Sequence, residues 1–242
     1  MFFVKNGNIR DAAFHFSVEE LFTRYIKKTK PVLMLWQADK TVMLGNNQIV
    51  EAELDKEFAE SSAIQIVRRS SGGGAIYTDT GTVLYTLIEP ITEEAKTHRE
   101  KLAANIIFAL KEMGVTARRE GRNDILVEGR KISGLAQYTV GNHVCTHGSL
   151  LYDTDLEVLT RVLKPNEEKL HPKGITSIRS RVTTIKPYIP ENFKVPEFID
   201  ALKKALLSDK DFELYELNVD ELIKVNRIKN DKYANHNWNL NL

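Results

Sequence analysis

The sequence predicts an α+β domain built on a largely antiparallel sheet flanked by helices, and three observations predict it. Short apolar runs of strand length recur from Val32 to Ile88 and again from Ile125 to Tyr152, the second set separated by glycine turns. Helical periodicity is confined to a few segments, the clearest between Glu93 and Gly114. Strands and helices do not alternate as βαβ units, which argues against a doubly wound parallel sheet.

After a short apolar start, Asn8 and Asp11 offer caps for a helix carrying Phe14, Phe16, Leu21, Phe22 and Ile26 before the basic exit Lys27-Lys28. Val32–Trp36 and Thr41–Gly45 read as two buried strands joined by the polar turn Gln37–Lys40, most simply a strand pair. A short strand over Ile64–Val67 runs into Arg68-Arg69-Ser70-Ser71-Gly72-Gly73-Gly74, and Thr82–Ile88 resumes a strand. Leu102, Ile106, Ile107, Leu110 and Met113 share a face of the long helix, which Gly114 ends. Gly121 to Tyr152 alternates strands with the turns Glu128-Gly129-Arg130 and Gly141-Asn142, an antiparallel meander. Leu156–Leu163 forms a short helix stopped before Pro165, and Pro187, Pro190 and Pro196 mark an irregular connection. Helices over Pro196–Leu207 and Val219–Val225 close the chain.

With 242 residues the chain can bury a full core as one domain. Lys and Arg number 34 against 33 Asp and Glu, so the formal charge of +1 gives no electrostatic case for a nucleic acid or a membrane as partner. A lone cysteine, Cys145, excludes an intrachain disulfide and suits a reducing compartment. Met1-Phe2-Phe3-Val4-Lys5 lacks a cleavable signal pattern, and no apolar run reaches membrane-spanning length. A cytoplasmic protein is expected.

Three consecutive glycines after two arginines and two serines carry a large entropic cost, because glycine loses the most backbone freedom on folding. An isolated Gly-Gly-Gly is more often a surface turn. Between two apolar strands, however, small residues let backbone N–H groups converge on an anion while arginines add charge-assisted bonds. The spacing is neither that of a P-loop nor that of a dinucleotide-binding turn. A second cluster is Gly121-Arg122-Asn123-Asp124 with Lys131-Ile132-Ser133-Gly134. Taken singly these are turn formers and a solvated lysine. Together, Lys131 beside the apolar Ile132, Leu135 and Ala136 offers a fixed positive charge for a carboxylate or a phosphate, and Asp124 a hard oxygen ligand for Mg2+. Cys145, flanked by His143 and His147, is a candidate nucleophile, but a strand position favours a small buried thiol.

Arg68–Tyr77 followed by Asp79 and Gly81, Gly121–Ile125, Gly129–Gly134 with Ala136, His147–Leu151, and Lys173–Thr183 form an ordered motif series from about Leu33 to Trp238 that resembles the lipoate-protein ligase A family. The resemblance implies the fold shared by biotin and lipoate protein ligases, with lipoate and ATP in one bifurcated pocket and lipoyl-AMP as intermediate. It implies that Arg69, Ser71, Gly72, Gly73 and Gly74 hold the phosphate and acyl-adenylate, and that Lys131 is the catalytic residue contacting the lipoyl carboxyl and the α-phosphate. Asn123 and Asp124 would serve the nucleotide and its Mg2+. Tyr77, Thr78 and Ser149 would line the adenine side, with Ser133 and Gly134 also in the adenylate site. Trp36 and His147 would lie beside the acyl chain and reacting carboxyl, and Gly174, Arg179 and Arg181 belong to a loop over the adenylate. The implied acceptors are lipoyl domains of 2-oxoacid dehydrogenase E2 subunits or the glycine cleavage H protein. Related octanoyl transferases that use a cysteine interrupt the glycine triplet, which is intact here.

On this likeness residues 1–242 form a single catalytic domain, with 185–242 as its C-terminal helical part and the family's smaller accessory domain absent. The alternatives are an ATP-independent lipoyl or octanoyl amidotransferase between carrier proteins, and a lipoyltransferase that uses preformed lipoyl-AMP or needs a separate accessory protein.

Overall fold

Asp11 opens the first helix by accepting hydrogen bonds from the N–H groups of Ala13 and Phe14 at 2.9 and 3.3 Å. This computed structural model describes residues 1–164, 181–190, 193–208 and 210–240. Strand β1 (Phe2–Val4) precedes helix α1 (Ala12–Glu20), every residue of which is buried. The helix widens into a π-helical turn over Leu21–Tyr25, so Ile26 follows the helix.

Strand β2 (Val32–Trp36) and strand β3 (Thr41–Leu44) form where predicted, but they do not pair with each other. β2 lies in the large sheet, while β3 pairs with β4 (Gln65–Arg68) and β5 (Ile76–Thr78) in a separate three-stranded sheet. Both strands are buried at every position, so neither shows the alternation that marks a half-exposed hairpin. The short helices α2 (Val50–Glu53) and α3 (Lys56–Ser61) occupy the connection between β3 and β4.

Strand β6 (Thr82–Pro90) leads to α4 (Ala95–Glu112), then β7 (Arg118–Glu120), β8 (Asp124–Val127), β9 (Arg130–Val140) and β10 (His143–Leu151). The meander is present as predicted because each partner lies one tight turn away. Helix α5 (Leu156–Val162), α6 (Val195–Leu207), β11 (Glu213–Tyr215), α7 (Val219–Ile228), a π-helical turn over Lys229–Tyr233 and α8 (His236–Leu240) complete the described chain. The large sheet runs β11-β1-β2-β6-β10-β9-β8-β7. β1 is parallel to both its neighbours, and every other pairing in that sheet is antiparallel.

One core lies between the large sheet and the helices α4 and α6, where Ile106, Leu110, Phe198 and Leu202 meet Val83, Tyr85 and Ile132. Each such side chain contributes about 1.5–3 kcal/mol by leaving water. Tyr152 stacks on Phe198 with ring centroids 4.1 Å apart. A second core sets α1 and α7 against β2, and a third joins the small sheet to α3 and α5. The gap between the two sheets, closed at one end by α1, is where the polar cluster assembles. Among the described residues no helix is long and apolar enough to cross a membrane.

Candidate active site

β4 delivers Arg68 and Arg69 at its end, and the chain then turns through Ser70–Gly74 before entering β5. Arg69 is buried, and four of its five N–H donors are used inside the protein. Nε donates to Ser71 Oγ at 3.0 Å, Nη1 to the Met43 carbonyl at 2.9 Å, and Nη2 to the carbonyls of Gly72 and Gly74 at 2.9 and 2.8 Å. The arginine therefore holds the loop by its carbonyl edges. A planar trans peptide points its N–H opposite to its C=O, so the N–H groups of Gly73 and Ala75 face away from the guanidinium. Burial lowers the Arg69 pKa to about 10, with Glu19 acting in the opposite direction, so the group is cationic at neutral pH. Gly73 sits at φ +101°, and a Cβ there would stand 3.1 Å from Arg69 Nη2, so this member of the triplet is required by conformation.

From Ser71 a buried chain of hydrogen bonds runs inward. Ser71 Oγ lies 2.7 Å from His147 Nε2, and His147 Nδ1 lies 3.0 and 2.9 Å from the two Glu19 oxygens. Thr86 donates to Glu19 at 2.6 Å and accepts from Trp36 Nε1 at 3.1 Å. His147 reaches this place because β10 lies between β6 and β9, opposite Thr86 on one side and Ala136 on the other. Glu19 and Thr86 were not singled out in the sequence, although a carboxylate within the apolar run Phe14–Phe22 was a usable signal. Glu19, Cys145 and His147 are the one trio of metal-ligating side chains gathered closely among the described residues, with ligand atoms within 4.8 Å. Hydrogen bonds to Ser71, Thr86 and each other already satisfy Glu19 and His147. Cys145 is wholly buried in β10, and burial, with Glu19, pushes its thiol pKa well up, which is unfavourable for a nucleophile.

His15 stacks on Trp36 at 4.5 Å, and burial lowers its pKa from 6.5 to about 4 against the weaker opposing effects of the Ile9 carbonyl and of Glu19. It folds neutral. Below pH 6.5 the unfolded chain takes up a proton that the folded chain refuses, so stability is full above that pH and falls as the pH drops toward 4. Urea unfolding is expected to lose about 3 kcal/mol across this window through His15, a slope that His15→Phe lacks. Equal slopes in the two proteins would refute the assignment.

On the opposite wall, Lys131 Nζ pairs with Asp124 Oδ1 at 2.8 Å across the β8–β9 hairpin, both side chains a little over a third exposed. Gly134 lets this lysine fold back over its own strand, since a Cβ there would lie 3.0 Å from Nζ. Asn123 is fastened to β9 in both directions, Nδ2 donating to the Leu135 carbonyl at 3.0 Å and its own carbonyl accepting from Leu135 N at 2.8 Å. Ser133 is buried with its hydroxyl 3.0 Å from that of Tyr85.

Two chambers open between these walls. The first, about 150 Å³, is apolar at its base, with Phe16, Trp36, Met43 and Leu84, and carries Arg69, His147, Asn123 and Asp124. The second, about 180 Å³, is lined by Tyr77, Ser133, Ser149, Leu151 and Leu159, with Glu53 and Lys164 also on its wall. Gly74, Ala75, Ile76, Lys131 and Gly134 line both, so the lysine stands at their junction. Tyr77 is fully buried with its hydroxyl unpartnered. Thr78 is also buried, but it is not among the residues lining either chamber, and its hydroxyl has no partner. Ser71 and Gly72 stand behind the first chamber as partners of Arg69, while Gly73 and Gly74 line it. Arg181 immediately precedes Val182, which bridges Lys131 and lines the second chamber. Gly174 and Arg179 lie outside the described residues.

A carboxyl group in the first chamber and a phosphate in the second would meet at one ammonium, an arrangement suited to joining the two. The family profile described as lipoyl protein ligase A/B catalytic domain matches residues 11–207. The chain belongs to this family. A curated relative, the lipoate-protein ligase LplJ of Bacillus subtilis (strain 168), is 31% identical over 242 residues, covering 99% of this chain and 73% of the relative. Among solved structures, the bi-partite lipoate protein ligase of Thermoplasma acidophilum, described with its E2 lipoyl domain, superposes with a TM-score of 0.84 at 24% identity, covering 98% of this chain and 94% of that one. A lipoate-protein ligase A bound with ATP gives a TM-score of 0.84 at 23% identity, with 95% and 94% covered. Membership of the lipoyl protein ligase A/B family makes the chain an enzyme of the ligase type, on the mixed α+β fold described above.

Proposed function

We propose that this chain activates lipoate with ATP as lipoyl-AMP and transfers the lipoyl group to a lysine of an acceptor lipoyl domain or H protein. The observation that carries this reading is the position of Lys131 where the two chambers join. The names of the B. subtilis relative and of the ATP-bound neighbour point the same way.

In this reading the acyl chain occupies the chamber floored by Trp36, Phe16, Met43 and Leu84, each buried methylene contributing about 0.8 kcal/mol. The nucleotide takes the chamber of Tyr77 and Ser149. A carboxylate oxygen of lipoate forms a bond to the α-phosphorus as the bond to pyrophosphate breaks. Lys131 neutralises both anions, and the N–H groups of Gly73 and Ala75 face the added charge, so the barrier falls by fixed electrostatics. The acceptor amine then attacks the acyl carbonyl carbon, AMP departs, and the amine proton is released, a step that needs positioning more than an enzyme nucleophile. Asp124 is a partly exposed carboxylate at the junction with Lys131 on one oxygen, which would suit a Mg2+ held by one carboxylate and the substrate phosphates. That ion would offset phosphate charge. The chain would act in the cytoplasm, in keeping with a single, buried cysteine.

The test is acylation of a purified lipoyl domain with lipoate, ATP and magnesium, beside reactions without ATP and with preformed lipoyl-AMP. Product is expected with lipoate only when ATP is present, and with lipoyl-AMP in its absence. Transfer between carrier proteins without nucleotide would replace this function with an amidotransferase, and product from lipoyl-AMP alone would leave the transfer half only.

A further inference from the structure

Two neighbouring stretches of the site face two ways. In α1, Glu19 holds His147, while the next residue, Glu20, turns to the π-helical turn after α7 and accepts from Lys232 Nζ at 2.6 Å and Tyr233 Oη at 2.7 Å. At the end of β4 and in the loop that follows, Arg69 and Ser71 serve the acyl chamber, while Arg68 and Ser70 point to the same C-terminal segment. Lys232 Nζ donates to Ser70 Oγ at 2.8 Å, and the Ser70 and Tyr233 hydroxyls are 2.7 Å apart. Arg68 Nε donates to the Trp238 carbonyl at 3.0 Å, Trp238 Nε1 returns a bond to the Arg68 carbonyl at 2.8 Å, and Asn239 Oδ1 accepts from Arg68 N at 2.8 Å.

Lys232 and Tyr233 thus each tie α1 to the glycine loop, two stretches that have no reason from sequence proximity to keep a fixed separation. Its ammonium also stands 4.5 Å from the Trp238 ring centre and 4.8 Å from that of Tyr233. Although burial works the other way, the hydrogen bond and charge of Lys232 hold the Glu20 carboxyl below its usual range, with help from Tyr233 and Arg24.

We infer that Lys229–Leu240 is a clasp that sets the spacing between the Glu19–His147 wall and the Arg69–Ser71 wall of the acyl chamber, with Lys232 as its positioning residue. Without the Lys232 bonds the Tyr233 hydroxyl is the remaining bridge between Glu20 and Ser70, and slack in that junction passes along the backbone to Glu19, Arg69 and Ser71. The identity of the ligand whose binding would suffer rests on the proposed function; the mechanical link does not.

The test uses the full chain with Lys232→Met, which removes the ammonium, and Lys232→Arg, which restores a donor cation. Amide hydrogen exchange in residues 69–75 is expected to quicken by about tenfold in Lys232→Met while β6 and β10 exchange as in the wild type. The lipoate dissociation constant is expected to rise about five- to tenfold. Turnover at saturating lipoate and ATP should stay within about twofold, and Lys232→Arg should recover most of the affinity. Unchanged loop exchange in Lys232→Met overturns the clasp, as does a fall in turnover with affinity retained. If Lys232→Met exchanges faster throughout its core, Ser70→Ala, which removes one hydroxyl of the same junction, decides by the same two measurements. Wild-type protein that fails to bind lipoate would sink the functional reading, and loop exchange alone would then judge the clasp.

Discussion

Lys131→Ala is expected to reduce lipoyl transfer from lipoate and ATP by about 10²- to 10³-fold, the loss seen when one preorganised group aimed at developing charge is removed. The fold should hardly notice. Lys131 and Asp124 form a partly exposed pair, both side chains more than a third accessible, and such pairs contribute about 0–1 kcal/mol. For a chain of this size that corresponds to a change in Tm of at most about 4 °C. Steady-state acylation with thermal melting separates the two effects. Lys131→Arg should recover little, because a planar guanidinium does not occupy the space of an ammonium folded over Gly134. A Lys131→Ala enzyme with wild-type turnover would remove the assignment.

Arg69→Met should have the opposite profile, a large loss of stability with loss of activity as its consequence. The wild-type guanidinium satisfies the carbonyls of Met43, Gly72 and Gly74 and the Ser71 hydroxyl in a buried setting. Methionine fills much of the volume and supplies no donor, so those four buried acceptors lose their partner, while Glu19 keeps its bonds to His147 and Thr86. Leaving a buried acceptor unsatisfied costs about 1–3 kcal/mol, and with several left at once a total loss of about 3–5 kcal/mol is expected. A fall in Tm of about 6–20 °C is expected, read by calorimetry with urea unfolding as a check. Arg69→Lys should be nearly as damaging, since one nitrogen cannot reach both Gly72 and Gly74 carbonyls and Met43. A Tm within about 3 °C of wild type for Arg69→Met would show that the loop is held by something else.

The positions of these two residues explain what was readable in advance. Lys131, Asp124, Asn123 and Gly134 lie within one hairpin, so their proximity follows from a strand, a Glu-Gly turn and a returning strand. The glycine triplet was conspicuous because glycine is costly unless its backbone is used. What the triplet needs Arg69 for was not readable: the arginine grips carbonyls, and the direction of a guanidinium comes from packing around it.

Distance along the chain limited the rest. His147 and Glu19 are separated by 128 positions, and nothing local to either announces the other. Lys232 and Ser70 are 162 positions apart, and Trp238 and Arg68 are 170 apart. Thr78 was expected beside Tyr77 on the adenine side, yet strand alternation turned it away from the chamber that Tyr77 lines. The expected β2–β3 pair failed for a related reason: two wholly buried, mostly apolar strands four residues apart fit a hairpin as well as they fit two sheets.

By itself, then, the sequence determined the helices with one apolar face, the meander with its tight turns, and the residue types that can hold a phosphate and a carboxylate. Each of these depends on neighbours within a few positions, where chain geometry leaves little choice. Only the tertiary structure decided which sheet each buried strand joins, that two chambers meet at Lys131, and that α1, the glycine loop and the C-terminal segment share one hydrogen-bond network. Burial leaves polar groups no water to bond with, so they must find one another across the chain, and those partnerships are set by packing of the whole domain.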